Sequence, residues 1–201
     1  MTHPEPARPE LDWRQRKKAE TRDRLRASAL RLFAEQGYDA TTVEQIAAAA
    51  GVSHMTFFRY FPAKEDVALA DSYDPMIAAL LGRTPAGWPL ARRIRAALLD
   101  GLEQIYGADR DALLAQSRLI VSTPVLRERL WADQMVTQQA ILQALGPRPG
   151  YPDRVVMAAC LAAASTAILA WVENDGIPEL PELINQAFDA LAAGSAFSPL
   201  S

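Results

Sequence analysis

Between Thr41 and Lys64 the chain reads TTVEQIAAAAGVSHMTFFRYFPAK, and no other stretch constrains the fold as tightly, because two helices must form and turn a corner within it. Thr42 is placed to accept an orphan N–H at a helix start, and behind it Val43, Ile46, Ala47 and Ala50 share one face of a 3.6-residue period. Gly51 follows the last apolar position, where a residue free to take a positive φ can stop the first helix. Ser53 then caps a second helix over residues 54–60. Phe57 and Phe61 lie four apart and face inward, and Pro62 ends the element. The run Ala47–Ala50 keeps the side chains small, so the two helices can cross closely at no cost in helix propensity. His54, Met55, Thr56, Phe58, Arg59 and Tyr60 are left for the flanks and the outer face, where they can meet a groove or a phosphate. The predicted unit is a helix-turn-helix.

Charge supports that reading once it is resolved along the chain. The total is −3, yet residues 1–64 carry eleven Lys/Arg against eight Asp/Glu, and the remainder carries ten against sixteen. Within Arg14–Arg31 the ratio is eight to two, the footprint of a phosphate-contacting helix. A solvated charged face would show the same composition.

The first helix is expected from Asp12 or Trp13 to Gln36, with Leu25, Ala29, Leu32 and Phe33 on its inner face and Gly37 as its stop. Lys64 opens a longer helix through Val67, Leu69, Ala70, Tyr73, Ile77 and Leu81. Gly82–Pro89 reads as a loop, Leu90 to Ile105 as an amphipathic helix, and Arg110 to Val121 as a separate one. Thr123 and Pro124 restart the chain as cap and first helical residue of a helix ending near Leu145. Pro147–Pro152 is a loop, and Asp153 is the expected cap of a helix whose interior, Val155–Val172, is apolar or small nearly all round. A last helix covers about Glu179 to Ala193. No strand pattern or internal repeat is present.

At 201 residues, half of them hydrophobic, the chain can build a sizeable core. No segment reads as a membrane span, and the polar, proline-rich opening lacks the apolar core of a signal peptide, so a cytoplasmic protein is expected. The only cysteine, Cys160, excludes an intrachain disulfide, and it reads as a core residue or as a thiol near a dimer axis. His3 and His54 are the only histidines, which leaves no metal-ligand cluster. With no Gly-rich phosphate loop and no nucleophile beside a base, an enzyme is not expected, and neither is a cofactor.

From Arg16 to Asp66, RKKAETRDRLRASALRLFAEQGYDATTVEQIAAAAGVSHMTFFRYFPAKED, the order of motifs resembles the N-terminal domain of TetR-family transcriptional regulators. The shared features are a basic opening helix with Leu32-Phe33, Gly37-Tyr38, the Thr-Thr cap, Ile46-Ala47, Gly51-Val52-Ser53, and Phe57 to Asp66. The resemblance implies an all-α homodimer: a flexible arm over 1–13, a three-helix DNA-binding domain over 14–61, and a six-helix ligand-binding and dimerisation domain over 62–201. It implies that Thr42, Tyr60 and Lys64 grip phosphates, that His54, Met55 and Arg59 face base edges, and that Ser53 and Thr56 reach either. An Arg59 guanidinium can donate two hydrogen bonds to guanine, with phosphate contact alone as the competing role. Phe58 stands where many relatives carry tyrosine, so a hydroxyl contact to phosphate is lost there, and its ring serves packing or a thymine methyl.

The family habit is a repressor released from a palindromic operator by a small molecule. Tyr106, Arg118, Trp131, Met135 and Trp171 lie on helices that would surround its pocket, though each also suits a plain core. Ser117–Gln134 is similar to the C-terminal domains of the mycofactocin-regulator branch, which points to an amphipathic or acyl-CoA-like effector, with Arg118, Arg127 and Arg129 available to an anionic head group. The apolar penultimate helix, with Ala158, Ala162, Ser165 and Ala167 read as its outer face, invites pairing of the last two helices with those of a second copy. The alternative is a constitutive or architectural DNA-binding dimer without a ligand.

Overall fold

The computed structural model describes residues 9–69, 73–130, 138, 141 and 150–193, and among these every regular element is helical. The chain divides into two compact units, Met1–Ala70 and Asp71–Ser201.

In the first unit α1 (Pro9–Gln36), α2 (Val43–Ala49), α3 (His54–Tyr60) and α4 (Lys64–Leu69) surround a small core. α1 begins at Pro9, earlier than Asp12, since proline is tolerated in a first helical turn. Leu25, Ala29 and Phe33 of α1 close against Ile46, Ala47, Phe57, Phe61, Val67 and Ala68, all buried. Thr42 caps α2 with a full capping box: its hydroxyl accepts from Gln45 N at 3.2 Å, and the Gln45 side chain accepts from Thr42 N at 2.9 Å. Gly51, at φ +67°, makes the corner in the left-handed region that glycine enters without strain. The first unit reaches Ala70, past Phe61, because α4 packs on α1. Of the helix expected from Lys64 to Leu81, the structure describes α4 and α5 (Tyr73–Arg83), and residues 70–72 lie outside the described set.

In the second unit α6 (Leu90–Ser122) is one unbroken helix of 33 residues where two were expected. Its mid-helix Gly107 costs about 1 kcal/mol of helix propensity, too little to stop a helix that packs along its length against α5, α8 and α9. Thr123 ends α6, and its carbonyl accepts from Leu126 N and Arg127 N at the start of α7, described over residues 124–130. α8 (Tyr151–Glu173) starts earlier than expected. Gly150 is the cap position, and Asp153 sits inside the first turn, accepting from Gly150 N at 2.8 Å. α9 (Leu180–Ala192) completes the unit.

Met157, Cys160, Ala163, Ala167 and Trp171 of α8 interlock with Ile94, Ala97 and Leu114 of α6 and with Leu180, Ile184 and Phe188 of α9. Ala167 therefore belongs to the core of its own chain and not to an outer face, whereas Ala158 and Ala162 are exposed and Ser165 is half-buried. Cys160 is a free, buried thiol, and burial pushes its pKa up to about 11. By length and composition α8 can cross a membrane, with a mean hydropathy of 2.2 over its most apolar window, which corrects the reading that no segment qualifies. Its alanines score as apolar, yet one side of the helix is spent on packing against α6 and α9.

Candidate nucleic-acid interface and effector site

Phe57 and Phe61 fix the rotation of α3 by pointing into the core with ring centroids 5.8 Å apart. At 100° per residue, Met55 and Arg59 then stand opposite the core, flanked by Thr56 and Tyr60 on one side and by His54 and Phe58 on the other. Exposure follows that geometry. Met55 is 76% exposed, His54, Phe58 and Arg59 are exposed, and Thr56 and Tyr60 are half-buried. The Arg59 guanidinium carbon lies 5.4 Å from the Tyr60 ring centroid, and the Phe58 ring meets His54 edge-on at 4.8 Å. Ser53 accepts from Thr56 N at 3.2 Å, and the two hydroxyls lie 2.9 Å apart, so both sit in fixed positions at the helix start.

Two features of this face were not anticipated. Glu44 of α2 places a carboxylate oxygen 3.1 Å from His54 Nε2, so the recognition helix begins beside an acid. That carboxyl is held below its ordinary pKa by hydrogen bonding at the start of α2, to its own backbone first and then to Thr42, with His54 adding to the effect. Lys64 is also more engaged than its place in the sequence suggests: Nζ donates to Tyr38 O at 2.9 Å and Thr41 O at 3.0 Å and lies 4.0 Å from the Tyr38 ring centroid. Tyr38 in turn donates its hydroxyl to Glu65 at 2.7 Å. Burial, and then the Glu65 carboxylate, hold the phenol above its ordinary pKa. Neighbouring residues at the start of α4 thus clamp the turn that leads into α2. No local sequence signal marks either pairing, because each joins residues from different elements.

In the second unit Tyr106 and Trp171 come together, ring centroids 5.9 Å apart, beside Arg110, a residue the sequence does not single out. Arg110 donates to Glu179 at 2.9 Å and to Gly176 O at 2.8 Å. Tyr106 donates to Glu179 and accepts from Leu180 N at 3.2 Å. Glu179 is held below its ordinary pKa by Arg110 first and Tyr106 second. Arg118 reaches the same turn through Asp175 at 2.9 Å. The Trp171 indole N–H is buried with no acceptor among the described residues. Trp131 and Met135 lie outside the described residues. Among the described residues no group of His, Cys, Asp and Glu converges as a metal site.

A helix-turn-helix head with a polar, aromatic and basic outer face, followed by a separate all-helical unit, defines a one-component regulator. Residues 25–70 match the bacterial regulatory proteins of the tetR family, and residues 88–196, more than half of the chain, match the MftR C-terminal domain. The chain belongs to the TetR family of transcriptional regulators, with a second domain of the MftR type. It is 43% identical over 122 residues to the HTH-type transcriptional regulator TcmR of Streptomyces glaucescens, a match covering 56% of this chain and 53% of that protein. The match thus spans about half the length of TcmR. It is 27% identical over 191 residues to the Mycobacterium tuberculosis protein named for regulation of mycofactocin biosynthesis, MftR, covering 89% and 93%. These relatives are regulators and not enzymes.

Among solved structures, the fold is shared with SmeT of Stenotrophomonas maltophilia in complex with triclosan (TM-score 0.59, 22% identity, 90% and 96% covered). It is also shared with Thermus thermophilus FadR in complex with lauroyl-CoA (TM-score 0.52, 23% identity, 90% and 100% covered).

Proposed function

We propose that this chain is a cytoplasmic, ligand-responsive repressor that binds a palindromic operator as a homodimer. The observation that carries the reading is the orientation of α3, whose buried phenylalanines turn Met55 and Arg59 squarely outward with His54 and Phe58 beside them. In the major groove Arg59 donates to guanine O6 and N7, a pairing worth about 1–3 kcal/mol of base discrimination. Ser53, Thr56 and Tyr60 on the flank, with Thr42 at the α2 start, set depth and register through phosphates. Lys64 retains one N–H beyond its two carbonyl acceptors and offers it to a phosphate.

The dimer forms through α8 and α9. Only 28% of the most apolar window of α8 is buried within the chain, and Val155, Ala158, Ala162 and Leu191 are exposed on these two helices. The effector binds around Tyr106 and Trp171, with Arg118 near its polar end. A buried donor without an acceptor costs about 1–3 kcal/mol, which an acceptor on a ligand would relieve. The lauroyl-CoA of the FadR structure and the triclosan of the SmeT structure make an amphipathic, partly apolar effector the class to test first.

The test is affinity selection of genomic DNA fragments by the purified protein at stated salt, repeated with Arg59→Ala. A recovered palindrome whose base preference relaxes in Arg59→Ala supports the reading. Uniform weakening across all operator variants assigns Arg59 to phosphate, and sequence-blind recovery points to an architectural role.

A further inference from the structure

The first turns of α1 stand outside the helix-turn-helix. The match to the tetR family begins at residue 25, where Leu25 is the first residue of α1 to enter the core. Residues 13–24 are already helical, and apart from half-buried Thr21 all of them are exposed. At 1.5 Å per residue they extend the helix by about 18 Å beyond the packed part. They hold six Lys/Arg against Glu20 and Asp23, in a chain whose total charge is −3. A segment so largely polar gains little from burial, and one of this length is marginal alone. Its composition therefore suits a partner of opposite charge.

The rotation of the helix indicates where that partner lies. Leu25, Ala29 and Phe33 define the core face. Arg14, Lys18 and Arg22, spaced four apart, continue that same face beyond the core. Arg22 marks the junction: its guanidinium carbon lies 5.2 Å from the ring centroid of Phe61, the cap residue that ends α3. The basic face thus runs on from the end of the recognition helix. Arg14, Lys18 and Arg24 make no ion pair among the described residues, and Lys17 lies 5.0 Å from the ring centroid of Trp13, itself 56% exposed. Arg14 and Lys18, unpaired and on the face that continues from the core past Arg22, match the regular negative charge of a duplex backbone.

We infer that residues 13–24 form a second DNA contact, a basic helical arm that tracks phosphates flanking the operator half-site and carries no sequence information. The inference rests on the DNA-binding reading and adds to it a site outside the recognition helix. Each phosphate neutralised contributes about 0.9 to the slope of log K against log[salt], so the arm steepens salt dependence without altering base preference.

The experiment measures affinity across a salt series for wild type and for a combined Arg14→Gln, Lys17→Gln and Lys18→Gln variant. The probes are a duplex limited to the selected palindrome, the same palindrome with about ten extra base pairs on each side, and a scrambled duplex of that longer length. Wild type is expected to bind the extended duplex more tightly and with a steeper slope than the short one. The variant is expected to lose that difference, to flatten the slope by about 0.9 for every contact removed, and to keep its preference for palindrome over scrambled sequence. Its melting temperature should match wild type, since the substituted side chains are exposed. An unchanged slope on the extended duplex overturns the arm, as does a lost palindrome preference with an unchanged slope. If wild type shows no sequence preference, the regulator reading falls, and the arm is still judged by the slope on the scrambled duplex.

Discussion

Lys64 is where the physics of a single residue most alters what its position suggests. Its place just beyond α3 marks a phosphate contact, yet two of its three N–H groups are committed to the carbonyls of Tyr38 and Thr41 in the turn between α1 and α2. Hydrogen bonds from a charged donor contribute about 1.5–3 kcal/mol each, and partial exposure of the site puts the net near the lower end. Lys64→Met keeps the length of the side chain and removes the charge. It is expected to lower stability by about 1–3 kcal/mol in urea denaturation and, through loss of the remaining donor, to flatten the operator salt slope by about 0.9 per protomer. A stability loss with an unchanged slope would make Lys64 a clamp alone, and a flatter slope without a stability loss a phosphate ligand alone. The sequence places Lys64 correctly along the chain but cannot reveal the clamp, because Tyr38 and Thr41 are more than twenty residues away and their acceptors are backbone atoms. Glu44 beside His54 and Arg110 beside Trp171 are hidden because each pairing joins side chains from different helices.

At the scale of elements, local chemistry was legible wherever the stop and start signals were local. Thr42, Gly51, Ser53 and Pro62 bracket α2 and α3 to the residue, because each acts on the backbone beside it. The misread elements are those decided by packing. Gly107 looks like a break between two helices, yet contacts along α6 override it. Helices of seven residues have little intrinsic stability, so their caps matter more than they would in α6. Thr42→Ala removes the acceptor for Gln45 N and loosens a network in which Gln36 Nε2 donates to Gln45 Oε1 at 2.9 Å and to Thr41 Oγ1 at 3.1 Å. It is expected to cost about 0.5–2 kcal/mol, read by thermal unfolding, with Thr42→Ser close to wild type. Equal losses for the two variants would show that the methyl, and not the hydroxyl, carries the effect.

At the scale of the whole molecule, the quantity that matters is the self-association on which operator recognition depends. Sequence patterning marks α8 as too apolar for a wet face but cannot tell which of its small residues serve the chain's own core, so it puts Ala167 on the outer face although that residue is buried. Met157, Cys160, Ala163, Ala167 and Trp171 face the chain's own core, and Ala158 and Ala162 are exposed four residues apart, with Val155 further along. On a monomer a charge at Ala162 is a surface substitution worth within about 0.5 kcal/mol. At the centre of a close helix pair it would be an unpaired buried charge, and leaving a buried charge without its partner typically costs about 3–5 kcal/mol. The two environments therefore predict different outcomes for Ala162→Glu. If α8 pairs with its copy, sedimentation velocity should show a monomer at concentrations where wild type is dimeric, with each protomer's melting curve at low concentration little changed. Operator affinity should then collapse toward that of a half-site, because two recognition helices one duplex turn apart bind as a unit only while the dimer holds. By linkage, operator DNA at high concentration should draw the variant back into dimers, since whatever binds only the dimer stabilises it by mass action. An Ala162→Glu protein that remains dimeric and binds the palindrome normally would place the partner surface elsewhere and leave the exposed face of α8 unaccounted for.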